Sequence, residues 1–445
     1  MTARHPTVVV GAGPIGLAAA AELLERGLDP LVLEAGPRAG TSVREWGHVR
    51  LFSPWRELIA PAAGRLLEPT GWQRPDGDSY PTGEDWAGKY LDPLAAALGG
   101  RVQFDTRVTG VARSGRDRVV DAGRDDRPFT VHTRDATGAE SRITARAVID
   151  ASGTWTTPNP LGSDGYPAAG ERTVSDRISY RIPDLRDSMT KARYAGRSIA
   201  VVGRGHSALT ALVSLADLAA ETGTHVTWVL RRGAIGDTFG GGSADQLPAR
   251  GALGQRAKAA VEAGHIDVVT GFRTQAVEKG ADEQLVLVSE DGRRLPAVNE
   301  IIALTGMRPD LSLNAELRLA LDTRLQAPVE LAPLIDPNIH SCGSVPPHGV
   351  NELSHPEADA FLVGMKSYGR APTFLAMTGY EQVRSIAAAL AGDQASAERV
   401  ELGLAETGVC GGAGLFDEPD ATKADSAGCC APSAPVAIEL SAPAR

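Results

Sequence analysis

Six residues near the start of the chain carry the first chemistry that can be read from it: Gly11-Ala12-Gly13-Pro14-Ile15-Gly16. Glycines at the first, third and sixth places of such a run have separate jobs. The first permits a tight turn, the second lets a pyrophosphate reach bare backbone, and the third lets a helix lie close on a strand. The helix that opens there offers unpaired N–H groups and the positive end of its dipole to the phosphates. Glu34, with Ala35 beside it, ends the next apolar strand and can accept ribose hydroxyls. A glycine run alone is a weak signal. Here strand Val8-Val9-Val10, glycines, an Ala/Leu-rich helix to Gly27, strand Leu31-Val32-Leu33 and acid follow in order. That order predicts a dinucleotide site; the structural alternative is a glycine-rich turn in an ordinary βαβ unit.

A second run, Gly203-Arg204-Gly205-His206-Ser207-Ala208, follows the strand Ser198-Ile199-Ala200-Val201-Val202. Ala208 takes the third glycine's place, which the pattern tolerates. The next strand, His225 to Leu230, ends on Arg231-Arg232 where an acid would otherwise stand. A guanidinium fork matches a phosphate, so this unit is expected to prefer NADPH to NADH; the alternative is a solvated strand end. His206 is read as a positional residue of the phosphate turn. Two small-residue turns answer the two runs. Ala151-Ser152-Gly153 follows the apolar strand Ala147-Val148-Ile149-Asp150, and Thr305-Gly306 follows Glu300 to Leu304. Turns of this kind let backbone approach a ligand.

The elements that must position these turns give the architecture. The pattern predicts an α/β fold with two Rossmann-like dinucleotide-binding domains, each a three-layer ββα arrangement, the second inserted into the first. Residues 1–165 and 326–395 would form the first domain, 166–196 a connector, 197–325 the inserted domain and 396–445 a flexible tail. Thr82 is a plausible N-cap with Asp85 three places on, opening a helix with Trp86, Tyr90, Leu91, Leu94 and Leu98 as its apolar face. Arg107-Val108 reads as a strand, and 110–146 as an antiparallel surface meander. A helix is expected near Gln255 to Ala263. Ile339 to Ser344 is expected as the last return strand, which makes Gly343 a candidate cofactor contact, and Thr373 to Leu390 as a helix. The mixed loop Gly47 to Trp55 is a candidate wall of the site.

Composition sets outer bounds. Of 445 residues, 42% are hydrophobic and 22% charged, which suits a globular chain with a real core. The net charge of −10 argues against a nucleic-acid partner, and no apolar run is long enough to span a bilayer. Four cysteines do not make a disulfide framework, so a reducing cytoplasm is the expected setting.

The two glycine runs with their answering turns resemble flavoprotein monooxygenases of the flavin-containing and Baeyer–Villiger type, and also thioredoxin-reductase-like flavoproteins, over roughly residues 7–392. The resemblance implies FAD on the first run, NADPH on the second, and O2 and a small molecule as substrates, with oxygenation through a flavin hydroperoxide. It fills out the FAD contacts as Gly11, Gly13, Pro14, Ile15, Gly16, Glu34, Ala35, Val108, Ser152, Gly153 and Gly343. On the nicotinamide side stand Gly203, Gly205, His206, Ser207, Ala208, Arg231, Arg232, Thr305 and Gly306. Gly240-Gly241-Gly242, the stretch Asp245 to Gly251, His48 to Trp55 and the cysteine-bearing tail are similar to flavoproteins of bacterial arsenic-resistance operons.

Three departures stand against the match. The monooxygenase signature FxGxxxHxxx(W/Y) is replaced by Tyr180-Arg181-Ile182-Pro183-Asp184-Leu185, without its histidine. Gly343 is followed by Ser344 rather than an acid. No CxxC occurs, which weighs against a flavin-adjacent dithiol. In the tail, Cys410, Cys429 and Cys430 are soft thiolates that could capture trivalent arsenic; the alternative is an inert tail. His348, His355, Lys366, Tyr368 and Arg370 could line a substrate site or be solvated loop residues. No nucleophile–base pair stands out. Monomer and homodimer are both open, and a reductase without oxygenation or a non-turnover flavin sensor are the competing functions.

Overall fold

Two five-stranded parallel sheets organise the chain in the computed structural model, which describes residues 5–242, 245, 247–339, 346–372 and 374–402. The first sheet runs, in space, Ala360–Leu362, Ala147–Asp150, Thr7–Val10, Pro30–Leu33, Val102–Gln103. Its centre, Thr7–Val10, is buried along its whole length. Successive side chains leave a strand on opposite faces, and the core divides accordingly. Val9, Val32 and Ile149 meet the helices Pro14–Glu25 and Ala376–Leu390. Val8, Val10, Leu33 and Val148 meet the other face. There a three-stranded antiparallel sheet, Thr106–Arg113, Phe129–Asp135 and Glu140–Ala145, supplies Val108, Val111, Phe129 and Val131. The expected surface meander is therefore half core: its alternation buries one face and solvates the other.

The second sheet repeats the design. Its spatial order is Ile266–Val269, His225–Val229, Ser198–Val202, Glu300–Ala303, Ile178–Ser179. Ile199, Val201, Trp228 and Ile302 face the side of the helices His206–Thr222 and Pro248–Glu262. Ala200, Val202, Ile301 and Ala303 face the antiparallel pair Thr274–Lys279 and Leu285–Ser289. Every strand of this sheet lies in sequence between Asp150 and Ala360. The chain leaves the first sheet, builds the second and returns, which is the inserted ββα arrangement the sequence predicts. Ile178–Ser179, in the stretch read as a connector, is the edge strand of the second sheet.

The return itself falls elsewhere than expected. The strand that closes the first sheet is Ala360–Leu362, paired with Val148 to Asp150. Ile339 sits in a turn, its amide on the Asp336 carbonyl at 3.1 Å. His340–Val345, Gly343 among them, lie outside the described residues. A three-residue strand offers too little pattern to stand out, although Val363-Gly364 after it repeats the design of a buried strand running into a small-residue turn. The helix Pro248–Glu262 begins earlier than expected, with proline in its first turn. The cap at Thr82 is a full capping box: the Asp85 amide donates to Thr82 Oγ1 at 3.2 Å and the Thr82 amide to Asp85 Oδ2 at 3.0 Å. Among the described residues no helix is long and apolar enough to cross a membrane.

Candidate functional site

The first glycine run forms a cradle with three contacting walls. Gly11 has φ 99°, and a Cβ there would stand 3.1 Å from the Ala151 carbonyl oxygen and 3.2 Å from Ser152 Cα. The fingerprint turn and the turn 151–153 are thus pressed together. A Cβ on Gly16 would overlap the Gly11 carbonyl oxygen, which is the close helix–strand approach expected of the third glycine. At Gly13 the space is open, with nothing within 4 Å of where a Cβ would lie. Pro14 stands in the first helical turn. Ile15 supports the third wall: a Cβ on Gly364 would meet its Cγ1 at 3.2 Å. Gly364, just past the closing strand, thus lies against the first glycine run, while Gly343 lies outside the described residues. Glu34 accepts the Ala12 amide at 2.7 Å and the Gly36 amide at 2.9 Å. Burial pushes its carboxyl above the ordinary glutamate value, with both amides opposing. Ala35 is exposed beside it. Val108, expected as a FAD contact, has its side chain buried between the parallel and antiparallel sheets.

Under the turn 151–153 lies a charged pair that the sequence does not announce. Lys366 and Asp150 are both 1% exposed and 2.7 Å apart. Lys366 Nζ also donates to Ser152 Oγ at 2.9 Å. Behind Gly364, its amide donates to Gln382 Oε1 at 2.8 Å, and Gln382 Nε2 donates to His348 Nε2 at 2.9 Å. His348 is thus a buried neutral support, its Nδ1 on the Pro346 carbonyl, and burial holds it below the ordinary histidine value.

The second cradle has the same parts. Gly203 has φ 135°, and a Cβ there would overlap the Leu304 carbonyl oxygen. Gly205 faces open space, Ser207 is exposed and Ala208 is fully buried on the helix. Arg231 donates to the Ser163 carbonyl at 3.2 Å. Burial, then the Arg273 and Arg204 guanidiniums, depress its pKa against Glu290. Arg231 therefore shares a cationic corner with side chains from two other segments, Arg204 and Arg273. His206 begins the helix, with its ring edge-on to Phe52 at 5.3 Å. Burial and nearby Arg250 hold it below the ordinary histidine value, so it is neutral near pH 7. Asp245 and Arg250 form a buried pair at 2.6 Å close by. This accounts for part of the Asp245 to Gly251 stretch: it backs the second phosphate turn.

The two units meet through paired crossing segments. Pro158 bridges Met307 antiparallel, with the Asn159 amide on the Gly306 carbonyl and the Arg308 amide on the Thr157 carbonyl, both at 2.9 Å. Thr305 Oγ1 donates to the Asn159 carbonyl at 2.8 Å, so its hydroxyl serves this joint. Beside it, Arg181 lies over the Trp155 ring at 3.9 Å, and Trp155 Nε1 donates to Glu45 at 2.7 Å. The loop 47–55 reaches across with Phe52 on His206 and with His48 Nδ1 4.0 Å from Asp184. The position of the missing signature histidine is thus held by Arg181 and its neighbours, which bind the two units together. Cys410, Cys429 and Cys430 lie outside the described residues, and among the described residues no three His, Cys, Asp or Glu side chains converge as a metal site.

Two glycine cradles on nested ββα units, one with a carboxylate and one with arginines at the strand end, fit two dinucleotides. The family model for pyridine nucleotide-disulphide oxidoreductase matches residues 8–330, and the chain belongs to that family of FAD-dependent oxidoreductases. No curated protein matches the sequence. Among solved structures it is similar to the bacillithiol disulfide reductase Bdr (YpdA) of Bacillus cereus, at 19% identity and TM-score 0.63, over 87% of this chain and 99% of that one. It is similar to DfoA of Erwinia amylovora, a cadaverine monooxygenase of desferrioxamine biosynthesis bound to FAD, at 16% and 0.61, over 91% and 98%. The ornithine hydroxylase PvdA of Pseudomonas aeruginosa follows at 16% and 0.57, over 87% and 99%. At these identities the likeness is one of fold.

Proposed function

We propose that this protein is an NADPH-dependent FAD monooxygenase that places one oxygen atom of O2 on a small-molecule substrate. The observation that carries the reading is a pair of nucleotide cradles joined at one crossing, in a span, residues 8–330, that contains no cysteine. A dithiol reductase needs a thiol pair beside its flavin, and this span offers none. FAD, when bound, would supply the redox chemistry between NADPH and O2. The chain's own residues bind and orient. Gly13 and Gly205 admit the pyrophosphates, Glu34 takes the FAD ribose, and Arg231 and Arg232 hold the 2′-phosphate. Neutral His206 and Phe52 cover the second turn. Arg231→Ala should weaken NADPH by about tenfold to a hundredfold, the worth of a charge-assisted hydrogen bond, and leave the KM for NADH unchanged.

Substrate-stimulated NADPH oxidation with matching oxygen uptake tests the reading. Full-rate anaerobic turnover with a disulfide or quinone would make the protein a reductase instead. A yellow protein whose flavin never bleaches with NADPH would make it a sensor. The finer placing in arsenic resistance rests on the resemblance of 48–55, 240–242, 245–251 and the tail, and the reducing cytoplasm on the low cysteine count. On that reading Cys410, Cys429 and Cys430 capture As(III), and replacing all three by serine removes stoichiometric binding.

A further inference from the structure

We infer that Lys366 is a positioning residue for the FAD site, fixing the distance between the two walls that flank the first glycine run. The inference rests on the reading that FAD occupies that cradle. Lysine is among the residues least often buried, and only when paired. Lys366 is 1% exposed, on the turn just past Gly364, and its partner Asp150 ends a strand 216 residues earlier in the chain. The link is more than a contact between opposite charges. Lys366 Nζ reaches Asp150 Oδ2 at 2.7 Å and Ser152 Oγ at 2.9 Å. Ser152 Oγ in turn donates to Asp150 Oδ1 at 2.6 Å, and the Ser152 amide donates to the same oxygen at 3.1 Å. Asn314 Nδ2 completes the set on Oδ2 at 2.6 Å.

Ser152 is the residue whose Cα lies against Gly11, and Gly364 is the residue that lies against Ile15. Lys366 therefore ties the wall at 151–153 to the wall at 363–364, across the run that takes the pyrophosphate. Stability alone does not call for such a pair, because apolar residues of similar volume often replace a buried ion pair without loss. What the pair adds is direction. Ser152 is exposed at the turn, but its hydroxyl is held between one donor and one acceptor and cannot rotate freely.

The test follows FAD release from the full-length protein by flavin fluorescence on dilution, with thermal melts of the FAD-free chain beside it. Ser152→Ala keeps the ion pair and should melt with the parent while binding FAD about tenfold more weakly. Lys366→Met strands a buried carboxylate and should lose stability and FAD together. Asp150→Asn with Lys366→Met removes both charges; its melting temperature should recover and its FAD affinity should not. Parental FAD affinity in Ser152→Ala, in Lys366→Met or in the double variant overturns the inference. A parent chain that binds no FAD overturns the function proposed above and this inference with it.

Discussion

Gly13 and Gly16 differ in what stands where a side chain would begin. A methyl group at Gly16 would overlap the Gly11 carbonyl oxygen, whereas at Gly13 it would meet nothing within 4 Å. Gly16→Ala should therefore lower the melting temperature of the FAD-free chain and abolish FAD binding. Gly13→Ala should melt with the parent and bind FAD at least about tenfold more weakly, because the methyl occupies the space the pyrophosphate needs. Equal loss of stability in the two variants would contradict this assignment of roles. Such residues are legible in sequence because spacing alone assigns each glycine its job. Glu34 and Arg231 are legible for the same reason, standing at a fixed place after a recognisable strand. Lys366 was legible only as an ambiguous loop lysine, since its role depends on a partner brought near by the sheet. For Val108 the strand is legible but its burial between two sheets is not, because that depends on a sheet brought up from elsewhere in the chain.

Elements were legible in proportion to their length and punctuation. The two glycine runs, the helices behind them and the return strands at Ala147–Asp150 and Glu300–Ala303 all lie where the apolar pattern puts them. The closing strand Ala360–Leu362 escaped because three residues cannot display a period, and Ile339 to Ser344 offered a longer stretch with a small-residue end, Gly343-Ser344. Its register is set by pairing with Val148 to Asp150, a long-range fact absent from any local window. The capping box at Thr82 shows the opposite case, a local chemistry that needs no tertiary knowledge. It opens the helical stretch that brings buried Trp86, Tyr90, Leu91, Leu94 and Leu98 to the first core. Thr82→Ala removes the side-chain acceptor for the Asp85 amide and should cost about 1 kcal/mol of unfolding free energy, read by denaturant titration with FAD binding unchanged.

At the scale of the molecule, burial gives the chain a common response to acid. His48, His206, His348 and His355 all sit below the ordinary histidine value, and in each burial is the largest cause. Two of them, His48 and His206, lie where the loop 47–55 meets the second unit, and His348 backs the Gly364 turn. His355 is pushed furthest, to about 4. A depressed folded-state value means that the unfolded chain takes up the proton first. Stability is therefore whole above the unfolded value, near pH 6.5, and falls as the pH drops through the window down to about 4, below which both states are protonated. For His355 alone the full window is worth on the order of 3 kcal/mol. His355→Gln cannot titrate, so its melting temperature should fall less steeply than the parent's between pH 6.5 and 4.5 and run parallel to it between pH 7 and 8. A variant whose melting curve keeps the parent's slope across the acid window would mean that His355 is solvated and titrates normally. The acid response would then have to come from the three histidines at the unit junction and the flavin wall, where it should appear as FAD release before unfolding.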